Sequence, residues 1–120
     1  MKKKVDWMYF RKSCTTCKYA QGYLASTGTD VTETVDATKT RIDTQGALAL
    51  LTDVEKVVAA KGKKVAVFDL KNDRPGDEIL LAHLMGPTGN LRAPTARVGK
   101  TLLIGFNEGA YKEVLEGAKG

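Results

Sequence analysis

The feature that most constrains this chain is the pair Cys14 and Cys17, set as Cys-Thr-Thr-Cys and the only cysteines among 120 residues. A C-x-x-C pair between a strand and a helix reads as a redox pair. The flanking residues supply that setting. Lys4 to Phe10 holds Val5, Trp7, Met8, Tyr9 and Phe10, which are apolar and β-prone and predict a strand. Arg11, Lys12 and Ser13 make the turn, with Ser13 as a good N-cap. A helix is expected from about Cys14 to Thr27, with Cys17, Ala20 and Leu24 at helical spacing and Gly28 as its stop. Cys14 then sits in the first turn, where unpaired N–H groups and the helix dipole favour a thiolate. Arg11, Lys12 and Lys18 push the same way. Cys17 lies one turn later and points inward. Cys14 is the candidate nucleophile and Cys17 the candidate resolving thiol.

Other uses of the two thiols are weaker. A closed zinc site needs four ligands, and one chain offers two cysteines and one histidine, His83. No metal and no cofactor is expected, although a zinc or iron–sulfur site bridging two copies stays open. A purely structural disulfide is disfavoured, because so small a ring constrains little of the unfolded chain. His83, beside Leu80 and Leu84, reads as a boundary residue rather than a catalyst.

Charge adds to the picture around the cysteines. The chain carries a net charge of +5, and the first 18 residues account for all of it: Lys2, Lys3, Lys4, Arg11, Lys12 and Lys18 against Asp6 alone. Lys2 to Lys4 read as a solubilising terminus. There is no basic stripe with interleaved aromatics, so direct nucleic-acid binding is not expected. No apolar run approaches the ~20 residues needed to span a membrane. The opening apolar stretch is short and contains Asp6, unlike a secretory signal. A cytoplasmic location is the expectation.

The rest of the chain reads as one domain. Asp30 to Asp36 alternates and is rich in β-branched residues, predicting a second strand and a β-α-β unit. A long helix is expected from about Thr44 to Ala60, with Ala47, Leu50, Leu51, Val54, Val57 and Val58 on one face and Gly62 as its end. Lys64 to Leu70 reads as a short buried strand. Pro75 opens a short helix to about Met85, with Ile79, Leu80 and Leu84 inward and Gly86-Pro87 closing it. Leu91 to Phe106 predicts a hairpin turning at Gly99-Lys100, and Asn107 caps a last helix carrying Ala110, Tyr111, Val114 and Leu115. The order β-α-β, an insertion at about 40–90, then β-β-α, describes a thioredoxin-like α/β fold. Its mixed sheet would have four to five strands, with helices on both faces. In this fold a cis-proline at the start of the hairpin's first strand faces the active cysteine, a position held here by Pro94. Sequence alone leaves Pro94 evenly balanced with a trans, strand-starting proline, and the C-x-x-C tips the expectation to cis.

Two stretches together resemble a known family. MYFRKSCTTCKYAQGYL with its following acidic strand, and LRAP through GKTLLIGFNEGAY, are similar to the glutaredoxin-coupled arsenate reductases and their relative, the transcription regulator Spx. The resemblance covers about the first 40 and last 30 residues. It implies a nucleophile at Cys14, and an Arg two positions before the proline at Arg92 and Pro94. Ala93 departs from the Asn-Arg-Pro-like stretch and second Arg that arsenate reductases use for the oxyanion. Arg97 or Arg41 would have to compensate, and neither matches a motif. The inserted segment of the family is largely helical, whereas KVAVFDL here reads as a strand.

These readings converge on a thiol–disulfide oxidoreductase. Cys14 attacks, Cys17 resolves, and Arg92, Arg11 and Lys12, beside Pro94, hold the anionic part of a small anionic or disulfide substrate. The partner would be glutathione or a thioredoxin- or glutaredoxin-type reductant. The alternatives are an Spx-like redox switch that binds a protein partner, and a true arsenate reductase.

Overall fold

Trp7, Met8 and Tyr9 are buried because β1 (Lys4–Phe10) has a strand on each side and a layer of helices on each face. The computed structural model describes residues 4–11, 15–37, 39–61, 64–72, 74–86 and 89–117. On one side β1 runs parallel to β2 (Asp30–Asp36), with Lys4 opposite Asp30 and Phe10 opposite Asp36. On the other it runs antiparallel to β5 (Thr95–Val98), with Trp7 opposite Arg97 and Tyr9 opposite Thr95. β5 and β6 (Thr101–Ile104) form the hairpin expected from the sequence. Its turn uses Gly99 at φ 60°, a region that costs glycine little and other residues more. The Asp6 carboxylate accepts the Gly99 N–H at 2.6 Å, fastening the turn to β1.

The sheet is mixed and has six strands in the order β2-β1-β5-β6-β3-β4, where β3 is Lys56–Lys61 and β4 is Lys64–Asp69. That exceeds the four to five expected. The difference arises in the stretch read as a single helix over 44–60. The helix α2 covers only Thr44–Leu50, a 3-10 turn follows at Leu51–Asp53, and Val54 is already extended. Val57 to Ala60 then form a continuous buried run between β4 and β6. Helix propensities differ by at most about 0.7 kcal/mol per ordinary residue. Burying one valine is worth roughly 1.5–3 kcal/mol. Where the strand pairs on both sides, the tertiary gain decides the conformation. Gly62, expected as the helix stop, lies outside the described residues.

β4 is an edge strand, not a buried one. Ala66 and Phe68 turn inward while Val65 and Val67 face out. The helix α3 spans Asp77–Leu84 and buries Leu80 and Leu84, but Ile79 is 52% exposed. Leu80 and Leu84 share a face at i, i+4, and Ile79 falls about 100° away from Leu80. Pro87, expected to help close this helix, lies outside the described residues.

Two apolar clusters hold the layers together. On one face α2 and α3 pack Ala47, Leu80 and Leu84 against Trp7, Tyr9, Val57, Leu102 and Ile104. On the other, α1 (Thr15–Ser26) and α4 (Glu108–Gly117) pack Ala20, Leu24, Ala110, Tyr111 and Leu115 against Val5, Met8, Val58, Ala96 and Leu103. The caps agree with the sequence reading at two places. Asn107 accepts the Ala110 N–H at 3.0 Å, and Gly28, at φ 66°, ends α1. Asp43 caps α2 through the Gly46 N–H at 2.9 Å. No helix among the described residues is long and apolar enough to cross a membrane.

Candidate functional site

The strand directions gather chemistry at one rim of the sheet. β1, β2, β3 and β6 all end there, and β5 begins there. Arg11 follows β1 at this rim, Pro94 precedes β5, and Gly105 follows β6. The Arg11 N–H reaches Cys17 in the first turn of α1, so that turn lies at the same rim.

Cys17 is in that turn and is fully buried. Its Sγ accepts the backbone N–H of Arg11 at 3.3 Å. The bond fixes the sulfur toward the end of β1 and offers a donor to any negative charge that forms on it. Inward burial of Cys17 is what the helical spacing with Ala20 and Leu24 implied, and all three are buried. Cys14 and Lys12 lie outside the described residues, as does the N-cap Ser13. The side chain of Arg11 is exposed.

Pro94 is buried, and the Ala93–Pro94 peptide is cis. The Pro94 carbonyl accepts the Gly105 N–H at 2.8 Å, joining the start of β5 to the end of β6. Thr95 Oγ1 donates to the Arg92 carbonyl at 2.6 Å, so the backbone before Pro94 is braced by its own strand.

The guanidinium of Arg92, read as an anion-binding group, donates to two backbone carbonyls. Nη2 donates to the Ala60 carbonyl at 3.1 Å and Nη1 to the His83 carbonyl at 3.3 Å. One side chain thereby ties the end of β3 and the last turn of α3 to the segment leading into Pro94. A cation at a helix C-terminus also complements the dipole there. Gly105 leaves the room: a Cβ built on it would collide with the Ala60 carbonyl oxygen and lie 3.2 Å from Arg92 Nη2. Arg97 lies in β5 opposite Trp7, and Arg41 is exposed in the loop before α2. His83 stacks at a tilt on Phe68, with centroids 4.9 Å apart, as befits a boundary residue.

Sequence reasoning did not assign Tyr111 to the site. It is buried, its hydroxyl donates to the Gly105 carbonyl at 3.2 Å, and its ring meets Phe106 and Tyr23 edge-on. Burial raises its phenol above the usual value, and the neighbouring Cys17 raises it further. The signal was present as three aromatics at Tyr23, Phe106 and Tyr111, but only the fold brings α1 to α4.

Among the described residues no group of three or more His, Cys, Asp or Glu could hold a metal ion. Comparison with models of known protein families gives no match, and comparison with curated proteins gives none either.

Proposed function

We propose that this chain is a thiol–disulfide oxidoreductase of the thioredoxin-like superfamily, of the arsenate reductase and Spx-like type. The observation that carries the reading is Cys17. It is buried in the first turn of a helix that leaves the sheet beside Pro94, and its sulfur is held by the Arg11 N–H. The strand order β2-β1-β5-β6, parallel then antiparallel then antiparallel, supports the fold assignment. The pair β3 and β4 extends that arrangement beyond β6.

In this reading the Cys14 thiolate attacks one sulfur of a substrate disulfide and expels the other as a thiolate. A mixed disulfide on Cys14 results. Cys17 then gives up its proton to solvent or to the departing group and attacks the Cys14 sulfur. The second substrate thiolate leaves, and a Cys14–Cys17 disulfide remains. Two electrons have passed to the substrate. Glutathione or a thioredoxin- or glutaredoxin-type protein returns them.

A disulfide substrate fits better than an oxyanion because Arg92 is engaged with two backbone carbonyls and Ala93 offers no cationic side chain. The test is a pair of assays with one reductant, offering glutathione disulfide in one and arsenate in the other. Disulfide turnover that is lost in Cys14→Ser, with arsenate turnover at background, is the expected result. Efficient arsenate reduction overturns the substrate choice. No turnover of either supports the regulatory alternative, in which the pair is oxidised once per signal.

A further inference from the structure

The sheet has two outer strands, β2 and β4, and they differ in kind. β2 carries Asp30, Glu33 and Asp36 along its length, charges that repel a second copy of the same edge. β4 carries Lys64 and Asp69 only at its ends, and Val65, Ala66, Val67 and Phe68 between them are uncharged. Val65 and Val67 are 41% and 56% exposed. They stand beside α4, which packs on Val58 of β3 and leaves them uncovered. A groove of about 350 Å3 lies between helix and strands, lined in part by Lys56, Val58, Val65, Val67, Glu113 and Val114.

We propose that β4 pairs with β4 of a second copy of this chain, antiparallel and centred on Ala66. Side chains alternate across a strand, so a two-fold axis normal to the sheet preserves the valine face only when odd positions meet odd positions. Centring on Ala66 sets Val65 against the partner's Val67, and Val67 against the partner's Val65. The four valines then form one patch bridging the two grooves. Centring on Val67 would pair the two copies of Val67 but leave each Val65 opposite the partner's Asp69, one valine pair in place of two. In the chosen register Lys64 falls opposite the partner's Phe68, one position from the partner's Asp69, so a lysine and an aspartate lie near each other at both ends of the apolar centre. A pairing this short buries less than the roughly 1,200 Å2 typical of stable interfaces. The assembly is therefore a weak dimer that forms with rising concentration.

Sedimentation velocity of the full chain across a micromolar concentration series tests this. The expected result is a monomer–dimer equilibrium whose Kd rises about tenfold or more, equal to at least ~1.4 kcal/mol, in Val65→Lys and in Val67→Lys. Thr32→Lys on β2 leaves it unchanged. Circular-dichroism melting confirms that each variant folds, and Val67→Thr, which keeps the β-branched shape, gives a smaller shift in the same direction. A monomer at every concentration overturns the proposal, and so does self-association indifferent to both valines. The redox reading is independent of this result and stands or falls on turnover.

Discussion

The backbone N–H of Arg11 points at the Sγ of Cys17 across the turn between β1 and α1, at 3.3 Å. Because this donor belongs to the main chain, no substitution at Arg11 except proline removes it. The thiol of Cys17 is therefore positioned by the fold itself.

A trapping experiment tests the roles proposed for the two thiols. In Cys17→Ser, reaction with glutathione disulfide should stop at a single glutathione adduct on Cys14, visible by intact mass. Cys14→Ser should form no such adduct. Labelling of Cys14 by iodoacetamide in the Cys17→Ser variant should show a midpoint below the free-cysteine value of about 8.5. A midpoint at or above that value argues against an activated nucleophile.

Arg92→Ala should cost stability. It removes two hydrogen bonds from a charged donor and leaves the Ala60 and His83 carbonyls without them. A loss of about 2–4 kcal/mol is expected from typical values, measured by urea unfolding. Arg92→Lys should recover only part, since one ammonium lacks the forked geometry to reach both carbonyls. Unchanged stability with weakened anion binding would return Arg92 to the role read from the sequence.

Gly105→Ala should be more severe than a surface change. The residue has φ 75°, and the added methyl would strike the Ala60 carbonyl. Backbone strain of about 1–3 kcal/mol adds to the displacement of the Arg92 clamp. Thermal melting should show it, whereas Gly22→Ala, on α1 with open space around it, should be neutral or slightly stabilising.

Tyr111 sets an alkaline limit. Burial, then the proximity of Cys17, raises its phenol above the unfolded value, which is about 10. The folded state therefore holds its proton when the unfolded chain would release it. The associated stability is fully present below about pH 10 and is lost as pH rises above that value toward the folded pKa. Urea midpoints measured from pH 8 to 11 should fall more steeply in the native protein than in Tyr111→Phe. That variant also loses the bond to the Gly105 carbonyl, a cost of about 1 kcal/mol at neutral pH.

Where local pattern and tertiary partner agree, the sequence was readable. Lys4–Phe10, Asp30–Asp36 and the hairpin about Gly99 are strands by pattern and in fact. Cys17, Ala20 and Leu24 are inward by spacing and in fact. The reading failed between Thr44 and Ala60, where Leu50, Leu51, Val54, Val57 and Val58 satisfy a helical period but the last two belong to β3. A strand buried on both faces shows no alternation, so periodicity could not separate it from a helix. The packing of Arg92 was illegible for a different reason. Its role was read from the resemblance, which places an Arg two positions before the proline, and nothing in its neighbours reveals that the carbonyls of Ala60 and His83 converge on it.

The centre of the sheet is made last. β5 and β6 occupy the middle of the sheet, yet they follow the other four strands along the chain. Until residues 95–104 are made, nothing can sit between β1 with β2 and β3 with β4 in the sheet. Each keeps a bare edge, β1 toward the absent β5 and β3 toward the absent β6, until residues 95–104 arrive and close the gap. A ribosome stalled before that point would display two adhesive seams, the kind of surface that chaperones bind.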